Sequence, residues 1–295
     1  MKKNGNPRSL AYKIFSWVIL ILLALLFLFP LYWIITGAFK PAQDIYNQKA
    51  VWWPTEWVSN NFDNLFNKRT APLFSIFGVE GPVGPAAFRW LLNTVFMSVI
   101  AMLLTCLTAA MAGYALAKKR FRGRAILFAL IVAAMALPKQ VILIPLLKEM
   151  SALDLMDTLW AVIMPTVGWP FGVFLMKQFS ESIPGEILEA TRIDGASEFR
   201  TFTTVVVPMV KPGIGALAIF TFINAWNDYF MQLIMLSSSA NYTISLGIAT
   251  LQAEGSVDMG LLMSGAALAS VPIIIVFLIF QKYFTQGITM GAVKG

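Results

Sequence analysis

Six apolar runs, at residues 14–36, 90–116, 125–147, 159–176, 213–236 and 261–280, limit what this chain can fold into. Each is close to the ~20 residues that a helix rising ~1.5 Å per residue needs to cross a hydrocarbon core ~30 Å thick. Composition agrees: 58% of the residues are hydrophobic and 13% are charged, where a soluble domain carries about a quarter charged residues. In lipid a backbone that cannot reach water must satisfy itself, which a helix does. The sequence therefore predicts an all-α membrane protein with six transmembrane helices.

The cations orient these spans. Lys2, Lys3, Arg8 and Lys13 precede the first run, and Lys118, Lys119, Arg120, Arg122 and Arg124 follow the second at once. Tight basic loops stay on the cytoplasmic side. Residues 1–13 and 282–295, with Lys282 and Lys294, then form cytoplasmic tails around an external loop at 37–89 and a membrane core at 90–281. The first run is longer than the apolar centre of a secretory signal and reads as an uncleaved span, with a cleaved signal as the alternative. Pro30 predicts a kink near its outer end. Trp52, Trp53 and Trp57 in the external loop suit either the headgroup level or a cap packed by its own aromatics.

Several chemistries lack their residues. The chain has no His and a single Cys, Cys106, inside an apolar run. No His-based catalysis, His/Cys metal site or internal disulfide is expected, and Cys106 reads as a packing residue. No phosphate-cradling Gly-x-x-x-x-Gly-Lys-Ser/Thr loop is present, and no 20–50-residue repeat is visible. The net charge of +7 follows from the membrane topology and does not point to nucleic acid.

Residues 182–212 form a polar island between the fourth and fifth runs, on the cytoplasmic side beside Lys177, Arg192, Arg200 and Lys211. Pro184 suits a helix start, and Glu186 and Glu189 suit its first turns. Gly195 is placed to end that helix in a left-handed turn. Asp194 is positioned to cap a second helix, which Phe199, Phe202 and Val206 would anchor by one face until Pro208 and Pro212 end it.

The spacing Glu189-Ala190-Thr191, Asp194-Gly195-Ala196, Phe202 and Val207-Pro208 resembles the "EAA" loop of permease subunits in binding-protein-dependent ABC importers. Thr191 stands where that pattern usually has Ala. Asn93-Thr94, Tyr114 to Ala117, Ile144-Pro145, Trp226-Asn227-Asp228 and the ending Gly287 to Gly295 extend the likeness toward the smaller permease of maltose-type carbohydrate systems. The resemblance implies that the island, through Glu189, Ala190, Arg192, Asp194, Gly195, Ala196, Phe199 and Pro208, docks on cytoplasmic ATPase subunits that carry ATP and Mg. It further implies a heterodimer with a second, similar permease and delivery of an oligosaccharide by an external solute-binding protein. The loop with Gly255 and Gly260 matches by position one that reaches toward the binding protein. The chain itself is then not an enzyme and holds no cofactor.

Polar residues at membrane depth add a candidate path. On straight helices Lys139 lies 15 residues beyond Arg124 and Asp228 15 residues beyond Gly213, each roughly 22 Å along. Charges in hydrocarbon cost at least ~2.5–3.5 kcal/mol and are usually paired or wet. Lys139 and Asp228 therefore pair, line a polar path, or snorkel to the outer headgroups. Asn93, Asn224, Trp226, Asn227 and Tyr229 offer the amides and rings that sugar hydroxyls and ring faces require, or serve as interhelical hydrogen bonds. The remaining alternatives are an importer for an anionic solute such as an acidic oligosaccharide or glycerol phosphate, an ion-coupled secondary transporter, and a membrane enzyme.

Overall fold

The computed structural model describes residues 7–73, 75–76, 79–253 and 258–292. Lys2, Lys3, Gly255, Lys294 and the last residues of the tail lie outside them. In chain order the elements are α1 (Pro7–Ala38), α2 (Ala42–Ile45), α3 (Asn60–Asn67), four short strands, α4 (Ala86–Lys118), α5 (Arg124–Ala134), α6 (Lys139–Ala152), α7 (Trp160–Val167) and α8 (Pro170–Glu181). Next come α9 (Gly185–Ile193), α10 (Glu198–Thr201), a π turn (Phe202–Val206), α11 (Val207–Met209), α12 (Lys211–Asn227), α13 (Tyr229–Met235), a 3₁₀ turn (Ser239–Asn241), α14 (Ile244–Ala253) and α15 (Met259–Ala292).

The fold is mostly helical, and it corrects the all-α expectation in one place. Strands β1 (Thr70–Pro72) and β4 (Val83–Pro85) pair, as do β2 (Ser75–Ile76) and β3 (Val79–Glu80), the latter antiparallel with Ser75 opposite Glu80. Among the described residues, four helices, with α7 and α8 counted as one, are long and apolar enough to cross a membrane, and up to six spans result if each bent pair is one span. Three of the six runs do not form single straight helices. The third breaks before Pro138, which has no N–H to donate and restricts the residue ahead of it; α5 and α6 meet at 106°. The fourth is interrupted at Gly168 and Trp169, ahead of Pro170 at the start of α8. The fifth is interrupted at Asp228, the C-cap of α12 and N-cap of α13. Residues 244–253, expected as loop, are helical, and Gly260 lies inside α15 rather than in a loop.

The chain divides into two compact units, residues 1–70 with 248–270 and residues 71–247 with 271–295. In the first, Asn61 is buried and ties the segment after α1 to α3. Its Nδ2 donates to the carbonyls of Ala38 (3.0 Å) and Lys40 (2.9 Å), while its own carbonyl accepts from the Ser264 hydroxyl at 3.1 Å. Asp44 accepts from the Thr55 N–H at 2.8 Å. The tryptophans form a ring cluster: Trp52 lies 5.9 Å from Trp33, Trp53 6.4 Å from Tyr32 and 5.4 Å from Trp57. The reading of these rings as self-packed is the one the contacts favour.

In the second unit α4 is the central helix, packed on α7, α8 and α12. Its lower half, with Ala109, Ala110 and Tyr114, joins Met176 of α8, Leu188 of α9, Phe202 and Val206 of the π turn and Leu217 of α12 in one buried core. A second core joins Met97 and Ala101 to Met150, Val162, Ile163, Met231, Met235 and Leu246. At Gly113 of α4 an added Cβ would lie 2.6 Å from the backbone of Met176 and Lys177. The obstacle is main chain and cannot rotate away, so only Gly fits.

The connection from α6 to α7 is pinned to the one after α13. Asp157, in the left-handed region (φ 56°) that Asp tolerates, accepts from the N–H groups of Ser237 (2.8 Å) and Ser238 (2.9 Å), and Asn241 donates to its carbonyl at 2.5 Å. Burial alone would raise this carboxyl, but bonds from Ser238, Ser237 and Asn241 outweigh it and hold it below the usual range.

Two outcomes test this packing. Gly113→Ala should cost about 1–3 kcal/mol, as overpacking does, read as a lower melting temperature of the purified protein in detergent. A group whose folded pKa is depressed stabilises above its unfolded pKa and loses that contribution as pH falls through the folded value. Asp157→Ala should therefore melt lower than the parent at pH 7, with the gap closing below about pH 4, the ordinary carboxylate range.

Candidate functional site

Two places in the second unit gather the predicted residues. The first is where the three broken runs meet. Lys139 is the first residue of α6, directly after the break at Pro138. Asp228 sits in the gap between α12 and α13, where its Oδ1 accepts from the Met231 N–H at 3.4 Å as an N-cap. Across this junction Lys139 Nζ lies 2.8 Å from Asp228 Oδ2 and donates to Asn224 Oδ1 at 3.3 Å. Lys139 is half exposed (48%), whereas Asp228 is largely enclosed (15%). The two charges meet because their helices are interrupted there, not because two straight helices carry them to equal depth.

A cavity of about 400 Å³ opens beside this pair, lined by Lys139, Trp169, Phe220, Ile223, Asn224, Asn227 and Asp228. A neighbouring cavity of about 540 Å³ shares Lys139, Trp169, Asn224 and Asp228 and is otherwise largely apolar, with Met135, Leu137 and Met164 among its walls. These volumes are in the range of small-molecule sites. Irregular backbone at membrane depth is tolerated only where protein buries it or water reaches it, and three helix breaks around one cavity satisfy that condition together.

The structure separates the remaining predicted path residues. Asn227 lines the cavity while its Nδ2 donates to the Ile223 carbonyl at 3.0 Å. Trp226 faces the other way: it is 1% exposed and stacks on Phe222 with ring centroids 5.4 Å apart, so it belongs to the core. Asn93 is a structural clamp whose Nδ2 donates to the carbonyls of Ala240 and Tyr242, both at 2.9 Å. Tyr229 opens α13 outside the cavity lining. Trp169 was not anticipated. Its signal was a Trp-Pro pair following Gly168 within an apolar run, a breaker sequence that the high hydropathy of its surroundings obscured.

The second place is the island. Helix α9 starts after Pro184, its N-cap, and ends in a Schellman turn: Ala196 N–H bonds the Thr191 carbonyl and Gly195 N–H the Arg192 carbonyl, both at 3.0 Å, with Gly195 at φ 68°. Asp194 is the C-cap of α9 and does not cap the next helix, α10; Ser197 does, its Oγ accepting from Arg200 N–H at 3.3 Å. Leu188, Phe202 and Val206 are buried, and the Phe202 ring lies 5.8 Å from that of Tyr114. Phe199 corrects the anchoring expectation. It is 74% exposed, and Ile193 across the turn is 87% exposed. Phe199 lies in α10, ahead of the π turn, and is left out of the core that Phe202 and Val206 join.

Charge holds the island to α4. Lys118 Nζ donates to the carbonyls of Ile183 (2.6 Å) and Glu181 (3.0 Å). Lys119 pairs with Glu198, which Arg192 also approaches at 3.7 Å. The hydrogen bond from Lys119 holds Glu198 below the usual carboxylate range against the opposing effect of burial, with the charges of Lys119 and Arg192 assisting. Arg192 and Glu198 are both largely exposed, and Glu198 was not among the anticipated residues. Glu189 is exposed and makes no ion pair among the described residues. Ala190 lies within α9, and Pro208 lies in α11. The bend of 78° into α12 comes at Val210, ahead of Pro212. No group of three or more metal-ligating side chains occurs among the described residues.

Comparison with known proteins gives the family. The family model described as "Binding-protein-dependent transport system inner membrane component" matches residues 107–290. The arabinooligosaccharides transport system permease protein AraQ of Bacillus subtilis (strain 168) is 32% identical over 98% of this chain and 99% of its own length. Its counterpart of the same name in Halalkalibacterium halodurans is 32% identical over the whole of both chains. Among solved structures, a chain of a bacterial ABC transporter involved in the import of the acidic polysaccharide alginate shares the fold, with a TM-score of 0.75 and 22% identity over 96% of this chain and 100% of that one.

Proposed function

The chain belongs to the binding-protein-dependent transport system inner membrane component family, and from that premise we propose that it is the membrane-spanning permease subunit of an ATP-driven ABC importer that takes up an oligosaccharide. The relatives named for arabinooligosaccharides support the solute class. In this reading the six spans are α1, α4, α5 with α6, α7 with α8, α12 with α13, and α15. Both termini and the island are cytoplasmic, 37–89 is the external loop, and the core of 90–281 forms half of a translocation path. A second, similar permease forms the other half, an external solute-binding protein delivers the sugar, and two ATPase subunits bind ATP and Mg. The outward apolar faces, such as Val271, Ile275, Leu278 and Ile279 on α15, suit lipid and the partner permease.

The observation that carries the reading is the island's pairing of exposed apolar side chains with a rigid mount. Ile193 and Phe199 stand free on either side of the Schellman turn, while Leu188, Phe202 and the Lys119–Glu198 pair bind the same loop to α4 and α8. A short helix of that kind receives a partner's movement at one end and passes it to two spans at the other. ATP-driven closure of the ATPase pair would rotate the mount, and α4, α8 and α12 would open or shut the path around Lys139 and Asp228. An ion-coupled transporter also uses broken helices around its site, but it leaves this mount without a purpose.

With the complex reconstituted in proteoliposomes, at least one neutral oligosaccharide carried by its binding protein should stimulate ATP hydrolysis and accumulate inside. Uptake that persists on an ion gradient with no associated ATPase activity refutes the proposal. A β-branched residue at Gly195 must adopt a left-handed backbone at a cost of ~1–2 kcal/mol. Gly195→Val should therefore insert and assemble while sugar uptake falls at least tenfold relative to ATP hydrolysis. Full coupling in that variant argues against the island's role.

A further inference from the structure

We infer that the cavity at the three helix breaks admits uncharged oligosaccharides and rejects carboxylated ones, and that Asp228 imposes this selection. The inference rests on the reading of the cavity as part of the sugar path. Lys139 stands at the first position of α6, where unpaired N–H groups already create a positive potential. An ammonium at a helix N-terminus is a ready anion site. The chain occupies it with its own anion, for Asp228 Oδ2 lies 2.8 Å from Nζ and its other oxygen caps α13 at Met231.

The pair cancels the formal charge of the cavity. The other lining residues, Trp169, Phe220, Ile223, Asn224 and Asn227, are all neutral. A carboxylate on an entering sugar has to draw Lys139 away from Asp228, leaving two carboxylates sharing one cation in a partly enclosed space. Like charges at such distance disfavour each other's ionised form. Asp228 is poorly placed to retreat, since it is enclosed and bonded as a cap. A neutral sugar meets no such conflict: Trp169 and Phe220 offer ring faces, Asn224 and Asn227 offer amides, and the remaining lone pairs of Asp228 accept hydroxyls.

The test uses the intact importer in nanodiscs without its binding protein, so that delivery does not filter the probes. Equilibrium binding is measured for arabinotriose, xylotriose and maltotriose, each beside its own aldonic acid, which adds one carboxylate at unchanged length. The parent should bind at least one neutral trisaccharide at least about tenfold more tightly than its aldonate, a modest share of the interaction between two unit charges in a partly solvated site. Asp228→Asn keeps a good N-cap residue and removes the charge, and it should bring that ratio to one or reverse it. Lys139→Gln leaves the carboxylate unopposed and should widen the ratio. Equal binding of neutral and acidic forms by the parent, or a ratio unmoved by Asp228→Asn, overturns the inference while the sugar-path reading stands. Binding of no trisaccharide, together with no stimulation of ATP hydrolysis when binding protein is restored, overturns both.

Discussion

The contact between α4 and α8 at Gly113 is the one the rest of the second unit depends on. With no side chain there, the backbone of α4 reaches that of α8 at Met176 and Lys177. In a membrane there is little hydrophobic force between helices, and close backbone approach through small residues supplies the packing instead. Because α4 is held this way, Tyr114 one residue on can meet Phe202, and Lys118 and Lys119 after it can reach the island's carbonyls and Glu198. The island therefore takes its orientation from α4 and α8, not from its own short helices, which are too brief to be stable alone.

The site at Lys139 and Asp228 is organised by interruption. A continuous helix has no backbone polar groups to spare, and a break exposes several at once. The chain spends these breaks in one place: Pro138 and Lys139 on α6, Gly168 and Trp169 between α7 and α8, and Asp228 between α12 and α13. Each supplies something a straight span lacks. Lys139 gains a helix N-terminus, Asp228 gains a capping role that holds its carboxylate, and Trp169 presents its ring at the cavity wall. Lys139 stays half exposed while Asp228 is enclosed, so the pair is only partly withdrawn from water.

The two places share α12 and the start of α8, and that gives the proposed mechanism its physical basis. Leu217 of α12 packs in the same core as Phe202, Val206 and Leu188, while Phe220, Asn224 and Asn227 further along α12 line the cavity. A displacement of the island has a rigid helix through which to move the cavity wall. The bend at Val210, between Pro208 and Pro212, sets the angle at which that helix leaves the island.

Much of this was legible in the residues themselves. Apolar run length determines the number of candidate spans. The basic loops bias their orientation, and the Glu-Ala-Thr to Asp-Gly-Ala spacing identifies the island and its Gly turn, because these depend on local composition and on the backbone freedom of single residues. Run length cannot show where a helix is interrupted without losing its hydropathy, so the breaks at Trp169 and Asp228 and the helix at 244–253 were not foreseen. Nor can spacing decide which side of a helix faces a partner. Of the two roles open to Asn93 and Trp226, packing and not the path is the one the contacts give; Phe199 looked like an anchor and proved exposed, Glu198 carried no local mark, and the breaker sequence at Trp169 was masked by its apolar surroundings. Those assignments depend on which neighbours α4, α8 and α12 bring within a few ångströms, and only tertiary packing decides that.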